Sequence, residues 1–436
     1  MTTPFKRSRR ITLAILLALV ASLISDASPP PQLKLKQLLV TGQSLSLGSR
    51  GFISDEQGEV QFKRGVSGTV LHTDPTRFGD KALAFAPNGP RAFIGPAHIA
   101  PRKVSEYVEF QALYETFDGV VLGETLSSGF AKSALAKDRS LGIKDSRYLF
   151  TISGAGGVRY AALKRGTSVF QSAINSVVAA RRIASDKGWA HEVIAIHCVH
   201  GESESDTTQA DYYQYLKEWA TEYQQAIGEI TKQPKAPYFF IDQLNSFTAS
   251  TYAVALAQLQ AHQEAPNIVL VGPKYQYPYY DSHHMLAEGY VKQGEYLERA
   301  VRETNQGVKW EPLRPTKIHY NGERNIEITM LVPIPPLTLD TTAVSDPGDF
   351  GFTCTDPKVS ITEVSIEGSK VNLRLSSKPT EGASIQYASQ TQLSESPGRM
   401  SGARGNLRDS DQRMLSSFDH KPLYNWCVAF SLPLVN

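Results

Sequence analysis

Hydrophobic positions along the chain follow two patterns, and the change between them falls near Thr304. Before that point, short continuous apolar runs alternate with longer segments in which apolar residues recur every three or four positions. Continuous runs are typical of parallel strands buried on both faces, and the longer segments are typical of helices that cover them. After Thr304, prolines become frequent and apolar and polar residues alternate, which indicates half-buried antiparallel strands.

The first pattern predicts an α/β fold with a parallel sheet. The predicted core strands are residues 36–41, 147–152, 193–199, 238–242 and 268–271. The clearest helix lies between the third and fourth of these strands. Its buried face is predicted to carry Tyr212, Leu216, Trp219, Tyr223, Ile227 and Ile230. Residues 51–145 show only fragments of periodicity, so we treat them as a long insertion after the first strand that shapes a binding crevice.

The second pattern predicts a smaller β-rich domain. Alternation is clearest in residues 326–330 and 371–375, and further strands are expected around residues 359–366, 384–387 and 426–431. We therefore expect an α/β domain over residues 28–308 and a β-sandwich-like domain over residues 309–436.

The N-terminal segment has the pattern of an export signal. Basic residues between positions 6 and 10 precede an apolar run over residues 11–24, and Ser25-Asp26-Ala27 follows with small residues at the cleavage positions. As a helix the run would be about 21 Å long, short of a hydrocarbon core of about 30 Å, so a membrane anchor fits less well. We expect a signal peptide over residues 1–27, a secreted or periplasmic protein, and no integral membrane span after cleavage.

Composition and charge exclude several classes of protein. A hydrophobic fraction of 41% with 20% charged residues is typical of a globular chain rather than a disordered one. Lys and Arg total 45 against 43 Asp and Glu, and the excess lies in the export signal, so no basic patch indicates a nucleic-acid partner. Neither zinc-type Cys/His spacing nor a phosphate-binding Gly-Lys-Ser/Thr loop occurs, so we expect no metal and no cofactor.

The chain has three cysteines, which allows one disulfide at most. Cys198 falls inside a predicted buried strand, whereas Cys354 and Cys427 both fall in the β-rich region. Any disulfide of this exported chain is therefore expected to join Cys354 and Cys427.

Two segments carry candidate chemistry for acyl transfer. Gly42-Gln43-Ser44 follows the first strand directly, where a serine can be either a nucleophile or an ordinary turn residue. A nucleophilic serine needs a base, and the base needs an acceptor that fixes its tautomer. Asp281-Ser282-His283-His284 offers both, although Asp281 could instead cap the helix that follows.

Together with His200-Gly201-Glu202-Ser203, these segments occur in the order found in the SGNH hydrolases. The chain resembles the branch of sialate O-acetylesterases and plant-type acetylxylan esterases, whose blocks read GQS, QGES and DxxH. The resemblance implies a flavodoxin-like α/β/α sandwich. It also implies Ser44 as nucleophile, His284 as base and Asp281 as the partner of that base. His283 is then a neighbour that either contacts the substrate or is a surface histidine with no role.

The resemblance also implies donors for an oxyanion. The N–H of Ser44 is one, and the second is the N–H of Gly156 in the glycine-rich loop after the strand 147–152, with Gly157 as the alternative. The relatives carry glutamine where this chain has His200, so His200 is predicted as a third donor. Glu202 is predicted to support the site, although it could simply cap the helix beginning near Thr207.

The sequence therefore predicts an exported serine esterase that hydrolyses acyl esters, and the resemblance specifies O-acetyl esters on carbohydrates. An acetylated carbohydrate or a small ester is the expected substrate. The alternatives are a secreted glycan-binding protein without catalysis on the same scaffold, and a lipase or thioesterase of the same fold.

Overall fold

The structure is a computed structural model that describes residues 1, 32–52, 76–95, 99–115, 123–244, 249–390 and 398–435. The predicted signal peptide, apart from Met1, lies outside the described residues. In the described part of the chain, none of the helices combines the length and the apolar character that a membrane span requires.

The described chain builds a central sheet whose strands are almost all parallel. Its strands are β1 (Lys34–Gly42), β2 (Ala82–Phe85), β3 (Arg91–Ile94), β4 (Phe110–Ala112), β5 (Ser146–Gly154), β6 (Ala190–Val199), β7 (Tyr238–Gln243) and β8 (Ile268–Pro273). Their order is β4-β2-β5-β1-β6-β7-β8, with β3 also paired to β5, and only β4 runs antiparallel to its neighbour. The predicted core strands are confirmed as β1, β5, β6, β7 and β8.

The order of these core strands decides where a site can form. Numbered among themselves along the chain they lie in the order 2-1-3-4-5, the arrangement of flavodoxin-like sheets. The order reverses between β1 and β6. In open α/β sheets, ligands bind beyond the carboxyl ends of the strands at such a point.

Helices cover both faces of the sheet. They are α1 (Leu126–Ser140), α2 (Ser168–Asp186), α3 (Gln209–Thr231), α4 (Ala249–Glu264) and α5 (Ala287–Asn305). The first and last share one hydrophobic cluster with the sheet, and the other three pack on the opposite face. The predicted face of α3 is confirmed, because its apolar residues from Tyr212 to Ile227 are buried and Ile230 is half-buried. Short 3₁₀ turns lie at Val104–Glu106, Tyr160–Ala162, Lys274–Gln276 and Asp349–Gly351.

The segment predicted as a crevice-shaping insertion contains more regular structure than its sequence pattern indicated. Its described residues supply β2, β3, β4 and α1, so part of it extends the sheet and covers one face rather than forming loops alone. Residues 53–75, 96–98 and 116–122 of this segment lie outside the described residues.

The described residues after α5 form three small antiparallel sheets. Their strands are β9 (Arg314–Tyr320), β10 (Asn325–Leu331), β11 (Thr338–Leu339), β12 (Phe352–Cys354), β13 (Ile361–Glu367), β14 (Lys370–Leu375), β15 (Ser384–Tyr387), β16 (Leu407–Arg408) and β17 (Phe430–Pro433). The sheets have the orders β13-β14-β10-β9, β12-β15-β17 and β11-β16. The predicted strands correspond to β10, β13, β14, β15 and β17. The division into domains at residues 308 and 309 stays a prediction.

The expected disulfide is not formed. Cys198, Cys354 and Cys427 are all free thiols, and Cys198 and Cys427 are buried. Burial of Cys427 among apolar side chains gives this thiol a packing role and raises its pKa well above the usual range.

Candidate active site

Ser44 lies at the carboxyl end of β1, at the point where the strand order reverses. Gly42, two residues before Ser44, has a φ of 134°, a backbone conformation that favours glycine. A side chain at Gly42 would also collide with the backbone, since a Cβ there would lie 2.1 Å from the carbonyl oxygen of Val199. The turn continues tightly, because the carbonyl of Ser44 accepts hydrogen bonds from the N–H groups of Leu47 and Ser49.

The loop between β8 and α5 brings Asp281 and His284 to this serine. His284 Nε2 lies 2.8 Å from Ser44 Oγ, and His284 Nδ1 lies 2.9 Å from Asp281 Oδ2. A carboxylate only accepts, so Nδ1 carries the proton and donates to Asp281, and Nε2 accepts from the Ser44 hydroxyl. The structure therefore brings the three predicted residues into one hydrogen-bonded line.

Asp281 is fixed by its own loop as well as by the imidazole. Its Oδ1 accepts from the backbone N–H groups of His283 and His284, at 2.8 and 2.7 Å. Burial alone would raise the pKa of Asp281, but the bonds from the His284 ring and from these two N–H groups outweigh it and lower the pKa to about 2. Asp281 does not cap the helix, because α5 begins at Ala287 with Leu286 at its N-cap.

Two backbone N–H groups, those of Ser44 and Gly156, are available to donate to the oxygen of a substrate carbonyl. Among the described residues, neither the Ser44 N–H nor the Gly156 N–H donates to a protein acceptor. Gly156 is adjacent to the serine, since a Cβ placed on it would lie 3.9 Å from Ser44 Cβ. A Cβ placed on Gly157 would have no described atom within 4 Å, and this glycine has a φ of 66°. This geometry favours Gly156 over Gly157 as the second donor.

His200 is placed differently from its predicted role. Its Nε2 lies 3.1 Å from the carbonyl oxygen of Val158, and its Nδ1 lies 3.0 Å from the hydroxyl of Tyr212. Because a carbonyl only accepts, Nε2 donates to Val158 and Nδ1 accepts from Tyr212, so no ring N–H is left for an oxyanion. The ring is 1% exposed and packs edge-on against Trp219, and burial lowers its pKa. The donor role predicted for His200 does not fit this arrangement.

Glu202 lies in a buried polar cluster that includes Gln43, the residue before Ser44. One carboxylate oxygen accepts from Gln43 Nε2 at 3.0 Å, and the other forms an ion pair with the ammonium of Lys274. Ser203 donates to the amide oxygen of Gln43 at 2.9 Å. The alternative in which Glu202 caps a helix does not apply, because Thr208 is the N-cap of α3.

A second buried network holds the chain just after Ser44. The Arg91 guanidinium donates to the carbonyl of Leu47 at 2.9 Å and to that of Gly123, and it pairs with Glu115 at 3.2 Å. Glu115 also accepts from both the N–H and the hydroxyl of Thr125. Arg91 and Glu115 therefore tie the segment from Gly123 to Thr125 to the turn that follows Ser44. Burial raises the pKa of Glu115 despite its contact with Arg91.

Lys274, Arg91 and Glu115 were not predicted from the sequence as residues of the site. Lys274 follows the buried strand β8 directly, and this placement is the one signal that could have drawn attention to it. The described residues contain no group of three or more His, Cys, Asp or Glu side chains that could hold a metal ion.

No protein-family model matches the chain, and no curated protein sequence matches it. Among solved structures, a carbohydrate acetylesterase from Xanthomonas citri is similar with a TM-score of 0.53 at 12% identity, covering 91% of this chain and 80% of that one. A protein from Arabidopsis thaliana has a TM-score of 0.44 at 16% identity, covering 63% of this chain and 99% of its own. NanS has a TM-score of 0.41 at 12% identity, covering 64% and 100%. The first likeness extends over most of the chain and shows a shared fold.

Proposed function

We propose that this protein is a serine esterase of the SGNH hydrolase type that removes O-acetyl groups from carbohydrates. The observation that carries the proposal is the line from Ser44 through His284 to Asp281, next to two N–H groups that have no acceptor among the described residues. The order of the core strands supports the SGNH assignment, because it puts the serine at the crevice of a flavodoxin-like sheet.

The proposed reaction follows from the protonation states of these groups. Ser44 Oγ attacks the ester carbonyl while His284 Nε2 takes its proton, and Asp281 stabilises the resulting imidazolium. The oxyanion that forms accepts hydrogen bonds from the N–H groups of Ser44 and Gly156. His284 then gives its proton to the leaving alcohol, and an acyl group stays on Ser44. A water molecule, deprotonated by His284, releases acetate and restores the serine.

Two considerations support an acetylated carbohydrate as the substrate. The sequence blocks around Ser44, Glu202 and His284 resemble those of sialate O-acetylesterases and acetylxylan esterases. The structurally similar protein from Xanthomonas citri is a carbohydrate acetylesterase. We also propose that residues 1–27 are removed on export and that the mature enzyme is secreted or periplasmic.

The test uses purified protein with p-nitrophenyl acetate, p-nitrophenyl esters of longer acids, and acetylated sugars assayed by acetate release. We expect hydrolysis of acetyl esters by the wild type, and loss of activity in Ser44→Ala to no more than a residual rate of about 10³–10⁴ over water. Faster hydrolysis of long-chain esters would favour a lipase. Glycan binding without hydrolysis would favour a non-catalytic binding protein, and wild-type turnover in Ser44→Ala would reject the mechanism.

A further inference from the structure

Ser44 and His284 belong to loops that are far apart in the chain, yet their reacting atoms lie 2.8 Å apart. Ser44 follows β1, whereas His284 belongs to the loop between β8 and α5. Proton transfer depends steeply on this distance, because a displacement of about 1 Å can cost about 100-fold in rate. Some contact between the two loops must therefore fix their separation.

A buried polar bridge connects these loops behind the reacting atoms. Lys274 is the first residue after β8, and its side chain is 0% exposed. Its ammonium pairs with one oxygen of Glu202, while the other oxygen accepts from Gln43, the residue before Ser44. The backbone N–H of Gln43 donates to the carbonyl of Val199 at 3.1 Å, so this end of the bridge is tied to β6 as well.

Stability alone does not explain a bridge of this kind. Removing two charges from water is costly, and replacing a buried ion pair with apolar residues of similar volume is often neutral or stabilising. What the pair does provide is a geometric restraint, because an ammonium and a carboxylate with fixed partners limit how far the loops that carry them can shift.

We propose that Lys274 is a positioning residue for the serine–histidine pair, acting through Glu202 and Gln43. The inference rests on the proposed esterase function. The Lys274 side chain is fully buried and pairs with Glu202 rather than with Ser44 or His284. In this role it holds the start of the loop that carries Asp281 and His284 at a fixed distance from the Ser44 turn.

The test removes both charges together, in Lys274→Met/Glu202→Gln. The single change Lys274→Met would leave a buried carboxylate without its counter-charge and is expected to destabilise the fold, seen as a large fall in Tm. In the double variant, the amide oxygen at position 202 can still accept from Gln43. We expect its Tm to stay near that of the wild type, while kcat falls about 10- to 100-fold and KM changes little.

The rate at which a fluorophosphonate reacts with Ser44 gives a second readout. This reaction forms a bond from the serine oxygen to phosphorus and expels fluoride, so it needs the serine–histidine pair but no sugar recognition. Its rate constant should fall by the same factor as kcat. The matched control is Arg299→Met/Asp411→Asn, which removes another buried ion pair, at 2.6 Å, that joins α5 to the C-terminal region. This control should keep both rates within about twofold of the wild type.

The outcomes separate the inference from the function on which it rests. If the wild type neither hydrolyses acetyl esters nor reacts with the fluorophosphonate, the proposed function fails and the inference fails with it. If the wild type is active and the double variant keeps both rates, Lys274 only fills space and the inference is overturned. Should the double variant not fold, Gln43→Leu breaks the bridge at its other end without changing charge. It should lower both rates, and unchanged rates would overturn the inference.

Discussion

His283 and His284 are neighbours in the chain but differ in what their rings contact. The His284 ring connects Ser44 to Asp281, whereas the exposed His283 has its Nδ1 beside the hydroxyl of Ser282 at 2.6 Å. We expect His284→Ala to lower kcat by several orders of magnitude, and Asp281→Asn to lower it about 10⁴-fold by favouring the wrong tautomer. His283→Ala should stay within a few-fold of the wild type. Steady-state kinetics of the three variants measure these changes in kcat. A greater loss of kcat in His283→Ala than in His284→Ala would show that His283 is the base.

For His200 we expect a loss of stability rather than of activity. Its ring packs and forms hydrogen bonds inside the protein and has no N–H left for the oxyanion. Replacement by alanine removes a buried ring from its contact with Trp219, takes away the acceptor of the Tyr212 hydroxyl proton, and leaves the carbonyl of Val158 without its donor. We expect a fall in stability of about 2–4 kcal/mol, seen as a lower Tm. Below its melting range, His200→Ala should keep kcat within a few-fold. A 10²- to 10³-fold loss of kcat at unchanged Tm would instead restore the donor role.

These residues show how far sequence reasoning reaches into the site. Ser44, Asp281 and His284 could be placed because each stands in a short motif after a recognisable strand. The role of His200 could not be predicted, since a motif fixes a position along the chain and not the direction of a ring. Lys274 and Arg91 were missed because nothing local in the sequence shows that a cation is buried. The burial of each of these cations depends on a carboxylate that the fold brings next to it.

Strands and helices were predictable to different degrees for a physical reason. The core strands are buried on both faces and therefore appear as continuous apolar runs, which is why β1, β5, β6, β7 and β8 were found. Strands β2, β3 and β4 have four, four and three residues, too few to show a period, and they form because the edge of an existing sheet offers them partners. Strands β11 and β16 have two residues each, also too few to show a period, and they pair with each other rather than with a larger sheet.

The packing of α1 against α5 depends on glycines, and this gives a test of element packing. A Cβ on Gly129 of α1 would lie 1.9 Å from the carbonyl oxygen of Val291, and one on Gly294 of α5 would lie 2.0 Å from that of Leu126. The added methyl group in Gly129→Ala would collide with the backbone of α5. We therefore expect the free energy of unfolding to fall by about 3 kcal/mol or more. Because α5 follows the loop that carries His284, activity should fall as well.

The control for this substitution lies in α3, where a Cβ on Gly228 would meet nothing within 4 Å. Gly228→Ala should therefore stabilise the protein by about 0.5–1 kcal/mol, because alanine loses less backbone freedom in a helix. Thermal unfolding of the two variants is the measurement. A Gly129→Ala protein as stable as the wild type would show that the two helices are not in close backbone contact.

The α/β part and the β-rich part are joined through buried contacts, which bears on how the whole molecule behaves. One hydrophobic cluster includes Trp219 and Tyr252 from the helices and Phe430 from the C-terminal strands. The amide of Gln243 both donates to and accepts from the backbone of Ala429, at 2.9 and 2.6 Å. A change of hydropathy pattern near Thr304 therefore indicated a change of secondary structure. The hydropathy pattern did not indicate the buried contacts between the α/β part and the β-rich part.

Because the molecule shares its core in this way, a buried group at the start of one strand can affect the stability of the whole chain at low pH. His191, in β6, donates from Nε2 to the amide oxygen of Gln37 at 2.9 Å, and its Nδ1 is buried with no partner among the described residues. Burial, assisted by the charge of Arg181, lowers the pKa of His191 to about 4. A proton on Nδ1 would have no acceptor in the folded state.

The sign of the resulting pH dependence follows from proton binding. Below its unfolded pKa of 6.5, His191 takes up a proton in the unfolded chain, whereas in the folded protein it does so only near pH 4. The unfolded state therefore binds more protons in this window, and the folded protein loses stability as the pH falls from 6.5 to 4. A shift of this size corresponds to at most about 3 kcal/mol. In His191→Gln, the amide can keep the bond to Gln37 but cannot titrate. Urea unfolding at pH 7.5 and pH 4 should show the wild type losing more free energy of unfolding than this variant, and equal losses would show that His191 does not contribute.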